Sequence, residues 1–366
     1  MKSVTATPTI ASCFLLMSLP MFGVLCASDA HAASLYAGTS NPGMVYARTG
    51  TSWTAISGDL GCFAVLDLIE FGGDLYAATR SPGQVLRYEG GTSWSVVWTP
   101  PDSADQVCDL AEYNGDLYAG TAWTGGKLYR YNAGSDTFNL VGTMPDTDSG
   151  GRTHAWYGIR AMYVWAQTGD LHLGDIGYDC LGRYDGTSMI YDAYMGGSCI
   201  YDFAEFNGKL YAAAYYGRLL WSSTGVGLSW SSAYPFGYYY LWELEPFQGY
   251  LYGGNAGGQL SRLDTSGTPQ LVWTTPSGAY SQQICSMAAD GDSMLYFGTG
   301  GEAGYSGTGS GVARVYTYDG GTPVEIFNAD GADTSGTDHA GIQCLLLPST
   351  ITVEADVKPG SFPNSI

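Results

Sequence analysis

The chain is short of charge, and of positive charge above all. Only 13% of its 366 residues are charged, and 14 Lys and Arg face 34 Asp and Glu, giving a net charge of −20. Nucleic acid is a poor partner for such a surface, because phosphates demand a basic footprint. Helical periodicity is missing between the apolar segments, which leaves helical folds out. C-x-x-C spacings are absent, which argues against cysteine-based metal binding. Nothing reads as a nucleophile elbow, a cofactor loop or a metal-ligand set. What is plentiful is the material of turns and strands, 53 Gly and 14% aromatic residues. That composition belongs to a turn-rich all-β chain rather than to an acidic disordered one.

The segment from Asp109 to Tyr131 is the clearest copy of a repeating unit. An apolar run, an Asn114-Gly115-Asp116 turn, a second run from Leu117 to Thr121, a Gly-rich turn and a third run from Lys127 to Tyr131 read as three short antiparallel strands. Asn-Gly is a hairpin signal because both central residues of a type I′ turn need positive φ. The second strand recurs as Leu-Tyr followed by small residues, starting at Leu35, Leu75, Leu117, Leu210, Leu251 and Leu295, with a weaker copy at Leu171. A period in the low forties built of strands predicts a β-propeller. A single four-stranded sheet of this size cannot bury its faces, so neighbours must stack around an axis. The expectation is an all-β, seven-bladed β-propeller of four-stranded antiparallel blades.

The first unit begins at Leu35 without the inner strand that later copies possess, whereas residues 342–347 form an apolar strand with no second strand after it. Pairing that C-terminal strand with the N-terminal blade would close the ring and cover two exposed edges. The propeller is expected over 33–348.

Residues 1–32 have the form of an export signal, with Lys2, an apolar run broadly from Ile10 to Cys26, and Ala30-His31-Ala32 as a cleavage site. Ser12, Ser18 and Pro20 interrupt the run, so membrane insertion is not expected and the mature chain should be secreted, to the periplasm or the exterior, as a monomer. Six cysteines then remain. Disulfides Cys62–Cys108, Cys180–Cys199 and Cys285–Cys344 are one reading of them in an oxidising compartment, and buried thiols serving as small apolar residues are the other.

The outer strands carry a further repeat, with Gly and then Ser-Trp at fixed offsets before Trp53, Trp94 and Trp230. Ser223 to Trp230 resembles an Asp-box, the structural hairpin of sialidases and other propellers, with Gly225 where the Asp would stand. The order of motifs is also similar to kelch repeats, although the kelch Gly-Gly doublet that ends the second strand stands only at Gly253-Gly254. Val357 to Ile366 resembles a "D-I-K-P-G-S-x-P-N-S-I" segment near the C-termini of exported prokaryotic proteins, so 349–366 reads as a linker or as the truncated start of a further module.

Arginines repeated in third strands, Arg87, Arg130, Arg183, Arg262 and Arg314, read as scaffold. Function is sought where the repeat is broken, in loops that a propeller gathers on one face. The candidate ligand-binding residues are Trp123, Arg152, His154, Trp156, Tyr157, Tyr215, Tyr216, Tyr239, Tyr240, Trp242, Asp338 and His339. Flat rings beside polar groups suit sugars, whose C–H faces stack on aromatics, so the expected partner is a glycan or an extracellular protein. Trp156 and Trp242 could instead plug gaps between blades. Asp330, Asp333 and Asp338 are oxygen ligands that could hold calcium, although their spacing completes no calcium loop and no other cofactor is expected. No catalytic residue is assigned. The alternative to a binding module is a glycoside hydrolase or polysaccharide lyase on the same face, pairing Asp338 with Asp146 or Asp175.

Overall fold

The computed structural model describes residues 33–101, 104–237, 239–276, 282–300, 313–329 and 341–348. The expected signal at 1–32, the tail at 349–366 and the acidic insertion holding Asp330, Asp333, Asp338 and His339 lie outside them. Every long element is a strand. In chain order these are β1 (Leu35–Ser40), β2 (Val45–Thr49), β3 (Ser52–Ala55), β4 (Ala64–Phe71), β5 (Asp74–Arg80), β6 (Val85–Gly90), β7 (Ser93–Trp98), β8 (Val107–Tyr113), β9 (Asp116–Thr121), β10 (Lys127–Asn132), β11 (Thr137–Thr143), β12 (Ile159–Trp165), β13 (Asp170–Asp175) and β14 (Cys180–Tyr184). They continue as β15 (Met189–Tyr194), β16 (Ile200–Phe206), β17 (Lys209–Ala214), β18 (Leu219–Ser222), β19 (Ser231–Ala233), β20 (Leu241–Phe247), β21 (Tyr250–Asn255), β22 (Gln259–Leu263), β23 (Pro269–Thr274), β24 (Gln283–Asp290), β25 (Met294–Gly300), β26 (Arg314–Tyr318), β27 (Val324–Asn328) and β28 (Gly341–Leu346).

The strands pair antiparallel in runs of four. β8–β11, β12–β15, β16–β19 and β20–β23 each form a separate four-stranded sheet. β4–β7 and β24–β27 are further runs, joined to the terminal strands by single residue pairs, Ser40 with Ala64 and Gly300 with Gly341. The pairing expected between the two ends of the propeller is present: β28 lies against β1, with Tyr36 opposite Leu346 and Gly38 opposite Cys344, and β2 and β3 follow outward. First strands of successive runs are neighbours in the order β4, β8, β12, β16, β20, β24, β28 and back to β4.

Burial explains why the Leu-Tyr strand recurs. All six residues of β1 are buried, and Leu117 and Tyr118 of β9, like Leu251 and Tyr252 of β21, are buried although they point to opposite faces. A strand covered on both faces is sandwiched between neighbouring sheets, and each fully buried Leu contributes about 1.5–3 kcal/mol. The small residue ending the strand makes room for the next run. A Cβ on Gly254 would sit 2.5 Å from Cγ2 of Ile284, and one on Gly298 2.6 Å from Cγ2 of Ile342. The five third-strand arginines have scaffold partners: Arg87 with Glu89 and Asp136, Arg130 with Asp116, Arg183 with Asp170 and Asp192, Arg314 with Glu325, and Arg262 over the Tyr250 ring at 4.0 Å.

One repeated irregularity places the side chains of the axis. Each first strand carries a bulge, visible as a register shift between Val65 and Asp67, Val107 and Asp109, Ile159 and Ala161, Ile200 and Asp202, Leu241 and Glu243, and Ile284 and Ser286. In β28 the shift skips Gln343. The skipped residues Leu66, Cys108, Arg160, Tyr201, Trp242, Cys285 and Gln343 all line one central cavity of about 180 Å³.

The bulges also account for the disulfide expectation, which the structure corrects: none of Cys62–Cys108, Cys180–Cys199 and Cys285–Cys344 forms. Cys108 and Cys285 occupy skipped positions that face the axis. Cys344 stands one residue past a skipped position, packed beside Gly38 with its thiol on the Val65 carbonyl, while Cys62 packs beside Gly43. Cys180 sits in a third strand, its thiol 2.9 Å from the Tyr191 hydroxyl.

Candidate binding site

Loops from the third, fourth and fifth runs converge beside the axis around a cavity of about 300 Å³. It is lined by Arg80, Gln106, Trp123, Tyr157, Arg160, Ile176, Gly177, Tyr178, Ser198, Cys199, Tyr201 and Trp242. Arg160, Tyr201 and Trp242 also line the central cavity, so the two spaces share a wall. Trp123 belongs to the β9–β10 loop, Tyr157 to the segment before β12, and Tyr178 to the β13–β14 loop. Their rings meet edge to face, Trp123 with Tyr157 at 5.8 Å and Tyr157 with Tyr178 at 5.1 Å. Together they make a shelf of aromatic surface in which Trp123 is 56% and Tyr157 41% exposed.

A buried carboxylate holds the shelf. Asp175 is inaccessible to solvent and accepts the backbone N–H groups of Tyr157 at 2.9 Å, Gly158 at 3.0 Å and Tyr178 at 2.7 Å. It thereby ties the two tyrosine loops to the end of β13. Burial pushes its carboxyl up to about 6, against the pull of those N–H donors. Both Asp175 oxygens are thus engaged in holding the loops of the shelf.

The backbone at Trp123 is unusual for a bulky residue. Its φ is +60°, in the left-handed region that costs a residue bearing Cβ of order 1 kcal/mol or more. Counting from the Leu-Tyr strand, the same repeat position holds Asn41 at φ +49°, Ser81 at +49° and Tyr216 at +55°, while Gly177 and Gly257 at that position do not take positive φ. Asn is a natural occupant of such a turn. Trp123 and Tyr216 are not, and both leave more than half of their surface in solvent.

Tyr216 belongs to a second aromatic group. Tyr215 stacks on Tyr240 at 4.6 Å, the Tyr240 hydroxyl donates to that of Tyr215 at 3.2 Å, and Tyr216 meets Tyr215 edge-on at 4.2 Å. The Tyr240 hydrogen bond holds the Tyr215 phenol above its ordinary pKa. Tyr240 reaches Trp242 at 5.6 Å, and Trp242 meets Tyr201 at 4.5 Å, so the group runs on into the shelf cavity. The Tyr239 ring covers Gly257.

The other candidates divide. His154 stacks on Tyr194 at 3.7 Å, and Arg152 lies over the same ring at 5.9 Å while paired with Asp148 at 2.8 Å, so both flank the shelf without lining it. Trp156 is 3% exposed, edge-on to Tyr191 in the core between runs; it is a packing residue. Trp242 is also buried, its indole N–H on the Gln283 amide oxygen at 2.7 Å, yet one edge faces the cavity. Arg80, Gln106, Arg160, Tyr178 and Tyr201 were not singled out from the sequence. The residue skipped in the Val/Ile-x-Asp motif would have found Tyr201, whereas Arg160 is followed by Ala161 and carries no such mark.

Carboxylates that line the central cavity serve the scaffold. Asp67 accepts the N–H groups of Leu68 at 2.8 Å and Leu110 at 2.9 Å, Asp109 accepts that of Met162, and Asp202 accepts that of Leu244 at 2.8 Å. Burial pushes Asp67 up to about 6 and Asp202 to about 7, and raises Asp109 and Glu243 well above the carboxylate range. Among the described residues no group of three His, Cys, Asp or Glu could hold a metal ion, and no helix is long and apolar enough to cross a membrane.

No family model matches the chain, and no curated protein matches it. Solved structures do. The extracellular domain of a hybrid two-component system from B. thetaiotaomicron superposes with a TM-score of 0.54 at 16% identity, covering 76% of this chain and 35% of that one, so the chain spans about a third of that relative's length. A catalytically inactive virginiamycin B lyase from Staphylococcus aureus, with quinupristin, gives 0.53 at 13% identity over 70% of this chain and 81% of the other. YCF48 bound to D1 peptide gives 0.50 at 11% identity, covering 82% and 85%. At such identities the likeness is one of fold, and the chain is a β-propeller.

Proposed function

We propose that this protein is an exported binding module, a closed ring of seven four-stranded blades that holds a glycan on the Trp123–Tyr157–Tyr178 shelf beside its axis. The ring is supported by the cyclic neighbourhood of the first strands and by the pairing of β28 with β1. Export rests on the signal-like residues 1–32. Kelch and Asp-box ancestry are both compatible with the repeat.

The observation that carries the binding reading is Trp123, a large ring kept half in solvent by a strained backbone where other repeats use Asn or Ser. A bulky ring at a left-handed turn that Asn41 fills at lower cost in another copy of the repeat is expected where a ligand repays it. Sugar C–H faces stack on such rings. Structural relatives that hold quinupristin or a peptide illustrate that this fold accommodates ligands. The hydrolase or lyase alternative has less support among the described residues, because Asp175 beside the shelf is buried and bonded to backbone N–H groups.

A glycan array combined with a turnover assay on the bound polysaccharides tests the reading. Retention of a glycan without product supports a binding module. Product release would favour the enzyme, and failure to retain any glycan would remove the sugar assignment.

A further inference from the structure

One turn recurs from run to run, at the sixth residue after the leucine of each Leu-Tyr strand. In the third run it holds Trp123 and in the fifth Tyr216, each at positive φ and more than half exposed. In the fourth and sixth runs it holds glycine, and a tyrosine from the loop entering the run covers it. A Cβ on Gly177 would sit 2.4 Å from Cδ2 of Tyr157, and one on Gly257 2.6 Å from Cδ2 of Tyr239. Tyr157 and Tyr239 are themselves equivalent, each two residues before the first strand of its run, β12 at Ile159 and β20 at Leu241. Four successive runs therefore set a ring at the same turn by two different means. The second run does not: its turn holds Ser81, and Phe63, the counterpart of Tyr157 when the bulges are aligned, carries the Arg80 guanidinium on its face at 5.4 Å.

These rings belong to one surface. Trp123 meets Tyr157 at 5.8 Å; Tyr216 meets Tyr240 at 6.1 Å, and Tyr240 lies 6.4 Å from Tyr201 and 5.6 Å from Trp242, both in the wall of the shelf cavity. The first strands β8, β12, β16 and β20 of the four runs are consecutive neighbours, so in a propeller their equivalent turns fall on one face, stepped by the packing of sheet on sheet, about 10 Å. A single sugar covers one or two such rings. A glycosidic chain repeats an apolar C–H face with polar edges along its length, which is the complement of successive tyrosine and tryptophan faces. We infer that this surface, on the glycan reading above, binds an oligosaccharide stretch of a polysaccharide along its length, laid from Trp123 over Tyr157 to Tyr216, and not a terminal sugar alone.

Isothermal titration of the purified protein with the disaccharides and hexasaccharides of the cello-, xylo-, manno- and chito- series tests this. In a series that binds, the hexasaccharide should bind at least about tenfold tighter than the disaccharide. Tyr216→Asn, whose side chain tolerates the left-handed turn as Asn41 does, should lower the ratio of the two affinities about tenfold, with an unchanged melting curve as control. Tyr216→Trp, which keeps a ring at the turn, should keep the ratio. A hexasaccharide gain no larger than the few extra registers of a longer chain supply, or a ratio that survives Tyr216→Asn, overturns the chain assignment and leaves the glycan reading standing. Binding of neither length in any series overturns both.

Discussion

The Asp67 carboxylate in β4 accepts the backbone N–H of Leu110, in the neighbouring first strand β8, at 2.9 Å. The same link runs from Asp109 to Met162 and from Asp202 to Leu244. These carboxylates are clasps between inner strands. Their environment makes them sensitive to pH. Burial raises the folded-state pKa of Asp202 to about 7, above the value of about 3.9 for an unfolded Asp. Its neutral form is therefore favoured by folding, and that contribution is complete below about pH 4 and lost as pH rises through about 7. The expected result is that wild-type stability falls over this window, while Asp202→Asn, which keeps an acceptor for Leu244, loses on the order of 2 kcal/mol less. Urea unfolding at several pH values measures it; parallel curves for the two proteins would show that Asp202 does not titrate in the fold.

Asp175 positions the shelf rather than touching a ligand. Asp175→Ala would strand the buried N–H of Gly158 and the partly buried ones of Tyr157 and Tyr178, at a cost of about 1–3 kcal/mol for a buried donor left unsatisfied. Stability should fall, and affinity for the retained glycan should fall with it even at temperatures where the variant is folded. Asp175→Asn, which retains an acceptor oxygen, should recover part of both. A folded Asp175→Ala protein with wild-type affinity would mean that the two tyrosine loops are held by something else.

The seat of the C-terminal strand can be tested through Gly298. A Cβ there would lie 2.6 Å from Cγ2 of Ile342 and 2.4 Å from the Ser286 hydroxyl. Gly298→Ala should destabilise by about 1–3 kcal/mol through overpacking. Combined with Ile342→Ala, which opens the space, the loss should be less than additive, because the two sites share one contact. Strict additivity in denaturant midpoints would place β28 away from β25.

Much of the architecture was legible because burial imposes it on composition. A strand sandwiched on both faces must read Leu-Tyr and then small residues, so Leu35, Leu117 and Leu251 announced their own strands, and the unmatched run at 342–347 announced its partner. The site was half legible. Trp123, Tyr157 and Tyr216 stood out by breaking the repeat, but nothing in their spacing disclosed that Trp123 and Tyr216 share a left-handed backbone position with Asn41 and Ser81. Trp156 breaks the repeat as visibly as Tyr157 yet packs inward, since adjacent residues of an extended segment point opposite ways. Arg160 and Tyr201 were hidden because a bulge, which aims them at the axis, leaves no mark in a count of strand lengths. The Cys285–Cys344 pairing failed for the same reason, Cys285 being a skipped residue and Cys344 the one after it.

The measurement that bears most directly on the shelf is a paired one on Trp123→Asn. Asn tolerates positive φ, as Asn41 does at the equivalent turn, so the variant should unfold within about 0.5 kcal/mol of wild type, as a surface change away from the core does. Its glycan affinity should drop about tenfold or more. A variant that loses stability and keeps its affinity would contradict the account, for the ring would then be serving the fold and not a ligand.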